Sequence, residues 1–255
     1  MSRVQRSATV VAAAAAGVVR ALNPVSAGRR WPAQVNDWSA CVQPNGRIPV
    51  VLVPGSFVPG QFYWHRIAPM LISEGHPVFA CNLPGWGTRG PDVMVAALDS
   101  FVERVRSATG SSEVVLIGQS FGGVIIRDLL QRNAMNVPSA ITISSQHHGF
   151  RRIWSRLFRT SGVRQAITVV CPMALELVSG SDYLTKINAV GDRCSAITTV
   201  TSNFDAFAPA SSTAIRDATN IVLQDVDSAV RSGHMLIGYD PLTLEVIRRT
   251  LAAVG

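Results

Sequence analysis

The chain has 255 residues, 47% of them hydrophobic and 15% charged, a balance that excludes a disordered chain and is ample for one large or two small cores. Four cysteines, at positions 41, 81, 171 and 194, are too few for a disulfide-dense miniprotein and too far apart for a CxxC-type zinc site, so neither a metal nor a cofactor is expected. The formal charge of +7 comes from 22 arginines and one lysine, Lys186, spread along the chain rather than grouped in a block, which argues against nucleic acid as a partner.

At the N-terminus, Arg3 and Arg6 precede an apolar run from Ala8 to Val19, and Val25-Ser26-Ala27 follows as a small-residue cleavage signal. That is the order of a secretory signal peptide, and twelve apolar residues fall short of the about 20 needed to cross a bilayer. Residues 1–27 are therefore expected to be a leader, with no transmembrane segment, and the secreted protein to carry +4 after loss of three arginines. Arg20 interrupts the pattern, and the competing reading is an alanine-rich surface helix of a cytosolic protein. Export permits paired cysteines. A Cys41–Cys81 bridge would pin the N-terminal arm to the sheet, and Cys171 and Cys194 would close a helical insertion. Four cysteines nonetheless leave three connectivities open, and four buried free thiols are the alternative.

From Ile48 onward short β-branched runs alternate with longer helical segments. The expected strands are Pro49–Val53, Val78–Asn82, Glu113–Gly118, Ala140–Ser144, Ala196–Thr201 and Asn220–Gln224, most of them continuous apolar runs suited to parallel strands buried on both faces. Helices are expected at about 61–74, 93–109, 121–133, 211–218 and 241–253. This alternation predicts an α/β fold, a mostly parallel central sheet flanked by helices, in a single domain over 28–255. An insertion of about forty residues, 149–190, breaks the rhythm. It carries Trp154, Leu157 and Phe158 at helical spacing among Arg151, Arg152, Arg156 and Arg159, then a second apolar stretch from Ile167 to Val178. It reads either as a cap over an apolar pocket or as two ordinary packing helices.

The most specific feature is Gly118-Gln119-Ser120-Phe121-Gly122, a GxSxG pattern between an apolar strand and a helix. A sharp strand-to-helix turn needs glycines around the serine and lifts its hydroxyl above the sheet, while the helix start offers N–H donors to developing negative charge. His234, in the loop after the last strand, occupies the place of the base in the order Ser, acid, His. His65 and His76 read as structural, and His147-His148-Gly149 as shaping the pocket. Asp205, after strand 196–201, is favoured as the acid that orients the imidazole. Asp225 and Asp227 compete from the loop of His234 itself, and Asp182 and Asp192 from the insertion. The turn Val53-Pro54-Gly55-Ser56 offers the Ser56 amide as an oxyanion donor beside that of Phe121.

Together these residues resemble an α/β-hydrolase and, more narrowly, the secreted bacterial triacylglycerol lipases of the class 2 type. The likeness runs from about Val35 to the C-terminus. It rests on Val35–Cys41, Pro49–Phe57, Gln119–Gly123, His147-His148-Gly149, Gly180–Leu184, Asp205 with Pro209, and His234. That family usually has histidine where this chain has Pro54 and Gln119, and Val-Pro-Gly-Ser instead resembles the oxyanion turn of fungal lipase B-type enzymes. The resemblance implies a serine esterase or lipase acting on lipid esters through an acyl-enzyme, with Ser120, His234 and Asp205 catalytic and a transient contact with a lipid–water interface. Alternatives are a carboxylesterase for soluble short-chain esters and a non-catalytic acyl-lipid binding module on the same fold.

Overall fold

A computed structural model describes residues 5–6, 9–12, 15, 34–39, 46–57, 60–133, 135–192 and 196–254. Six strands form one sheet, all parallel: β1 Val50–Val53, β2 Val78–Ala80, β3 Val115–Gln119, β4 Ala140–Ile143, β5 Ile197–Thr201 and β6 Thr219–Val222. Their order across the sheet is β2-β1-β3-β4-β5-β6. The α/β class expected from the alternation of elements is the one observed.

The inner strands are buried on both faces because most of their positions are apolar, Thr142 and the threonines of β5 being buried among them while the edge strand β6 stays partly exposed, and the two-residue period of a strand sorts them between two layers. Val50 and Leu52 of β1, Val78 and Ala80 of β2, and Val115 and Ile117 of β3 enter one layer. Val51, Val53, Phe79 and Leu116 enter the other. The first layer is closed by the helices α1 (Gly60–Trp64), α2 (Ile67–Ser73) and α11 (Pro241–Ala252), through Trp64, Leu71 and Ile247. The second is closed by α3 (Pro91–Thr109) and α4 (Phe121–Arg132), through Met94, Leu98, Val124 and Ile125.

Local chemistry sets the element ends. Helix α3 starts with Pro91 in its first turn and stops at Gly110, whose left-handed φ of 70° caps it. The single helix expected over 61–74 is instead two, α1 and α2. Pro69 has no N–H, and its ring would clash with the carbonyl four residues back at His65, so the break falls at His65 and Arg66. The helix expected over 211–218 shrinks to the four-residue α9 (Ala210–Thr213), and the end of the last expected strand folds into α10, Leu223–Val226.

The insertion between β4 and β5 holds four helices: α5 (Arg152–Phe158), α6 (Ser161–Val170), α7 (Pro172–Glu176) and α8 (Asp182–Ala189). Met173, Leu177, Leu184 and Ile187 anchor it on the second apolar layer. The expectation of two disulfides is corrected at two of its positions. Cys81 and Cys171 are buried free thiols, packed in the same layer as Phe79 and Leu83, where a thiol serves as a small hydrophobe. Burial pushes the Cys81 thiol up to about 12, so it stays protonated and inert. Cys41 and Cys194 lie outside the described residues. Within the first 27 residues, Val10 is buried in the first layer and Arg6 pairs with Asp227. Among the described residues no helix is long and apolar enough to cross a membrane.

Candidate active site

In a doubly wound sheet the loops after the strand C-termini converge beside the strand at which the chain reverses direction. Here β1 lies between β2 and β3, and register brings Val53 beside Gly118 and Gly118 beside Thr142. The chain thereby delivers Ser56 after β1, Ser120 after β3, Gln146 after β4, Asp205 after β5 and His234 after β6 to one end of the sheet.

Ser120 joins β3 to α4 with φ 53° and ψ −126°, a conformation that L residues adopt only when their surroundings enforce it. Two glycines permit the turn. A Cβ on Gly118 would lie 2.6 Å from the Gly123 Cα, and one on Gly122 would lie 2.2 Å from the Val53 carbonyl oxygen. The Ser120 amide donates to the Ile143 carbonyl at 2.8 Å.

The structure brings three of the sequence-predicted residues into one hydrogen-bonded line. Ser120 Oγ lies 2.9 Å from His234 Nε2, and His234 Nδ1 lies 2.8 Å from Asp205 Oδ2. The other oxygen of the fully buried Asp205 accepts the amides of Phe207 at 2.8 Å and Ala208 at 2.7 Å. Burial alone would raise the Asp205 carboxyl. The hydrogen bond and charge attraction of His234, with the Ala208 amide, outweigh it and hold the group below the ordinary carboxylate value. An ionised Asp205 fixes the Nδ1–H tautomer of His234 and leaves Nε2 free to accept the serine proton.

The competing carboxylates are engaged elsewhere or removed from the histidine. Asp192 pairs with Arg127, Asp227 accepts the amide of Ala229 at 2.8 Å, Asp182 opens α8 and Asp225 sits in α10. Of the other histidines, His76 lies 3.0 Å from the Ile48 carbonyl, and His148 lies 2.9 Å from that of Ala214. His147 is fully buried with Nε2 3.0 Å from Thr142 Oγ1, and burial with nearby positive charge holds it well below its ordinary value, hence neutral.

Ser56 and Phe121 both line the cavity at the serine. The Ser56 turn is pinned by its hydroxyl, which donates to the Gly87 carbonyl at 2.6 Å, and by the Phe57 amide, which donates to Trp86 at 2.9 Å. Among the described residues neither the Ser56 nor the Phe121 amide donates within the protein, so both are left for a ligand.

Two polar contacts escaped the sequence reading. Gln146 is buried and its Nε2 lies 3.2 Å from Ser120 Oγ. Gln119, beside the serine, donates to the His234 carbonyl at 3.2 Å and ties the histidine loop to β3. Glutamine carries no pattern of its own; the one available signal was the place of Gln146 just beyond a strand end, where His147 drew attention instead.

The cavity has a volume of about 260 Å³ and is walled mainly by Phe57, Phe150, Phe158, Met173, Leu177 and Phe207. Phe207 lies against the His234 ring at 5.2 Å and stacks on Trp154 of α5 at 5.3 Å. The Trp154 indole donates to the Ala206 carbonyl at 3.0 Å, so the insertion is tied to the acid loop.

The sequence matches the alpha/beta hydrolase family over residues 50–253. A triacylglycerol lipase of Pseudarthrobacter phenanthrenivorans is 31% identical over 164 residues, 61% of this chain and 51% of that protein. One of Burkholderia plantarii is 31% identical over 164 residues, 61% and 45%. This chain thus spans about half the length of the curated relatives it matches. Among solved structures, Aspergillus fumigatus lipase B superposes with a TM-score of 0.68 at 19% identity, covering 87% of this chain and 55% of that one.

Proposed function

We propose that this chain, which belongs to the alpha/beta hydrolase family, hydrolyses carboxylic esters of lipids through an acyl-enzyme. The observation that carries the reading is the line Ser120–His234–Asp205, at 2.9 and 2.8 Å, opening into an apolar cavity. Ser120 Oγ attacks the ester carbonyl as His234 Nε2 takes its proton, and the Ser56 and Phe121 amides receive the oxyanion. His234 then protonates the departing alcohol, and water activated by the same nitrogen releases the acid. Asp205 holds the imidazole and stabilises its charged form without taking the proton. The triacylglycerol lipases among its relatives support an acyl-lipid substrate, as does a lining poor in polar groups.

A fluorophosphonate that labels Ser120, with label and hydrolysis both lost in Ser120→Ala, is the expected result. Hydrolysis unchanged in Ser120→Ala would remove Ser120 from the reaction, and a protein that neither takes the label nor hydrolyses esters would be the binding module. Export is proposed on the order Arg3 and Arg6, apolar run, Val25-Ser26-Ala27. N-terminal sequencing of protein recovered from the medium is expected to start beyond residue 27.

A further inference from the structure

The loop that carries Asp205 is held from two sides at the same peptide units. On one side the amides of Phe207 and Ala208 fix a carboxylate oxygen of Asp205. On the other, the carbonyls of three successive loop residues accept from the insertion: Arg151 Nη2 donates to that of Asp205 at 3.2 Å, Trp154 Nε1 to that of Ala206 at 3.0 Å and the Arg151 amide to that of Phe207 at 2.9 Å. A peptide unit is planar, so the Ala206 carbonyl and the Phe207 amide turn as one body, as do the Phe207 carbonyl and the Ala208 amide. The insertion therefore grips, at their far ends, the two peptide units whose near ends hold the carboxylate.

Trp154 adds a second grip. Its indole stacks on Phe207 with ring centroids 5.3 Å and planes 18° apart, and Phe207 lies 5.2 Å from the His234 ring. One side chain of α5 thus reaches both partners of the hydrogen bond between His234 Nδ1 and Asp205 Oδ2, the acid through the Phe207 amide and the base through the Phe207 ring.

The helix that carries this grip is itself fixed. Ser155, buried in α5, donates to the Phe150 carbonyl at 3.1 Å. The Phe150 amide donates to the Leu177 carbonyl at 2.9 Å, and Arg159 Nη2 to that of Ser179 at 2.5 Å. Leu177 sits in the second apolar layer, so support runs from the core through α5 to the loop. The loop's own bonds, from the Asp205 amide to the Ser202 carbonyl at 3.0 Å and from Thr201 Oγ1 to the Ala208 carbonyl at 3.3 Å, leave the Ala206 and Phe207 carbonyls to the insertion.

We propose that Trp154, with Arg151, is a positioning residue for the acid. Through the Ala206–Phe207 and Phe207–Ala208 peptide units it sets the place of the Asp205 carboxylate, and hence the orientation of His234. The effect on rate rests on the esterase reading; the effect on the His234–Asp205 hydrogen bond does not.

The test reads the hydrogen bond and the rate separately. An imidazole Nδ1–H bonded to a carboxylate resonates downfield of the amide protons. This signal is expected in the parent, weakened in Trp154→Phe and lost to solvent exchange in Trp154→Ala. With p-nitrophenyl butyrate, Trp154→Phe, which loses the donor and keeps a stacked ring, is expected to lower kcat about fivefold, and Trp154→Ala, which loses both, about thirtyfold. Arg151→Ala keeps its amide bond and is expected to lose about threefold. KM should stay within about twofold. The losses should be equal on acetate and octanoate esters, because the acid serves every ester alike, whereas a mere cavity wall is felt by octanoate alone. In an Asp205→Ala background, Trp154→Ala should cost less than about twofold, since no carboxylate is left to position. Ile153→Ala, on the exposed side of the same helix, should match the parent throughout. A Trp154→Ala enzyme with the parent's kcat and resonance would overturn the proposal, as would a loss that persists undiminished without Asp205 or appears only with octanoate. Should the alanine variant fail to fold, Trp154→Phe carries the same comparisons. A parent that hydrolyses no ester, but whose resonance weakens in Trp154→Phe, would sink the esterase reading and leave the positioning standing.

Discussion

For the ester hydrolysis proposed above, the size of the cavity at Ser120 sets the length of acyl chain expected. It measures about 260 Å³, just below the roughly 300–1,000 Å³ of pockets that bury a drug-sized ligand, so it suits a medium-length acyl chain of about eight carbons rather than a long one. Each methylene moved from water into this lining contributes about 0.8 kcal/mol, or about fourfold in kcat/KM where the contact persists in the transition state. A series of p-nitrophenyl esters from acetate to palmitate is therefore expected to rise about fourfold per carbon, level off near octanoate and then fall. Ala174, half-buried in the cavity wall, gives the complementary perturbation. Ala174→Phe adds a ring inside the cavity and is expected to move the optimum shorter by roughly three or four carbons, with acetate hydrolysis nearly unchanged. A parent that prefers acetate, or whose rates keep climbing to palmitate, would refute the reasoning. So would an optimum that Ala174→Phe leaves in place.

Three further outcomes are expected. Gln146→Leu removes the amide 3.2 Å from Ser120 Oγ and is expected to lower kcat about tenfold, with a parallel drop in the rate of fluorophosphonate labelling; an effect confined to KM would contradict that placement. Gly122→Ala forces a Cβ to within 2.2 Å of the Val53 carbonyl and is expected to cost about 3 kcal/mol or more, lowering Tm by about 6–12 °C in a thermal melt. Asp205 is held below its ordinary value of 3.8, so as pH falls the unfolded chain takes up this proton before the native one. Its contribution to stability is thus full above about pH 4 and is lost as pH drops through the native value. The Tm difference between the parent and Asp205→Asn is expected to be largest near neutrality and to shrink below pH 4. A gap that is flat with pH would show that the carboxylate charge is not what stabilises.

Strand β1 and the serine turn were legible because their constraints are local. Four consecutive apolar residues in Val50–Val53 declare a doubly buried strand, and Gly118, Ser120 and Gly122 declare a turn in which side chains would collide with Val53 and Gly123. Asp205 and His234 were legible by chain order, since each follows a strand that ends at the same edge of a parallel sheet. The split between α1 and α2 was written in Pro69 but masked by an unbroken apolar period. Gln146 was not legible, because an amide near a reactive oxygen leaves no spacing or composition to read. The cysteines misled for a related reason: spacing along the chain says nothing of whether Cys81 and Cys171 turn toward a partner thiol or, as observed, into an apolar layer.

The +7 charge and the apolar fraction were fixed by the residues alone, and with the β–α alternation and the GxSxG pattern they determined a two-sided parallel sheet and a serine turn at the end of its third strand. What the tertiary structure decided was proximity. Residues 114 positions apart meet at 2.9 Å at one hydroxyl, and the loops around them wall a cavity of about 260 Å³. Periodicity and turn chemistry act over a few residues and are written along the chain, whereas the distance between loops depends on how every strand between them packs, which no local pattern encodes.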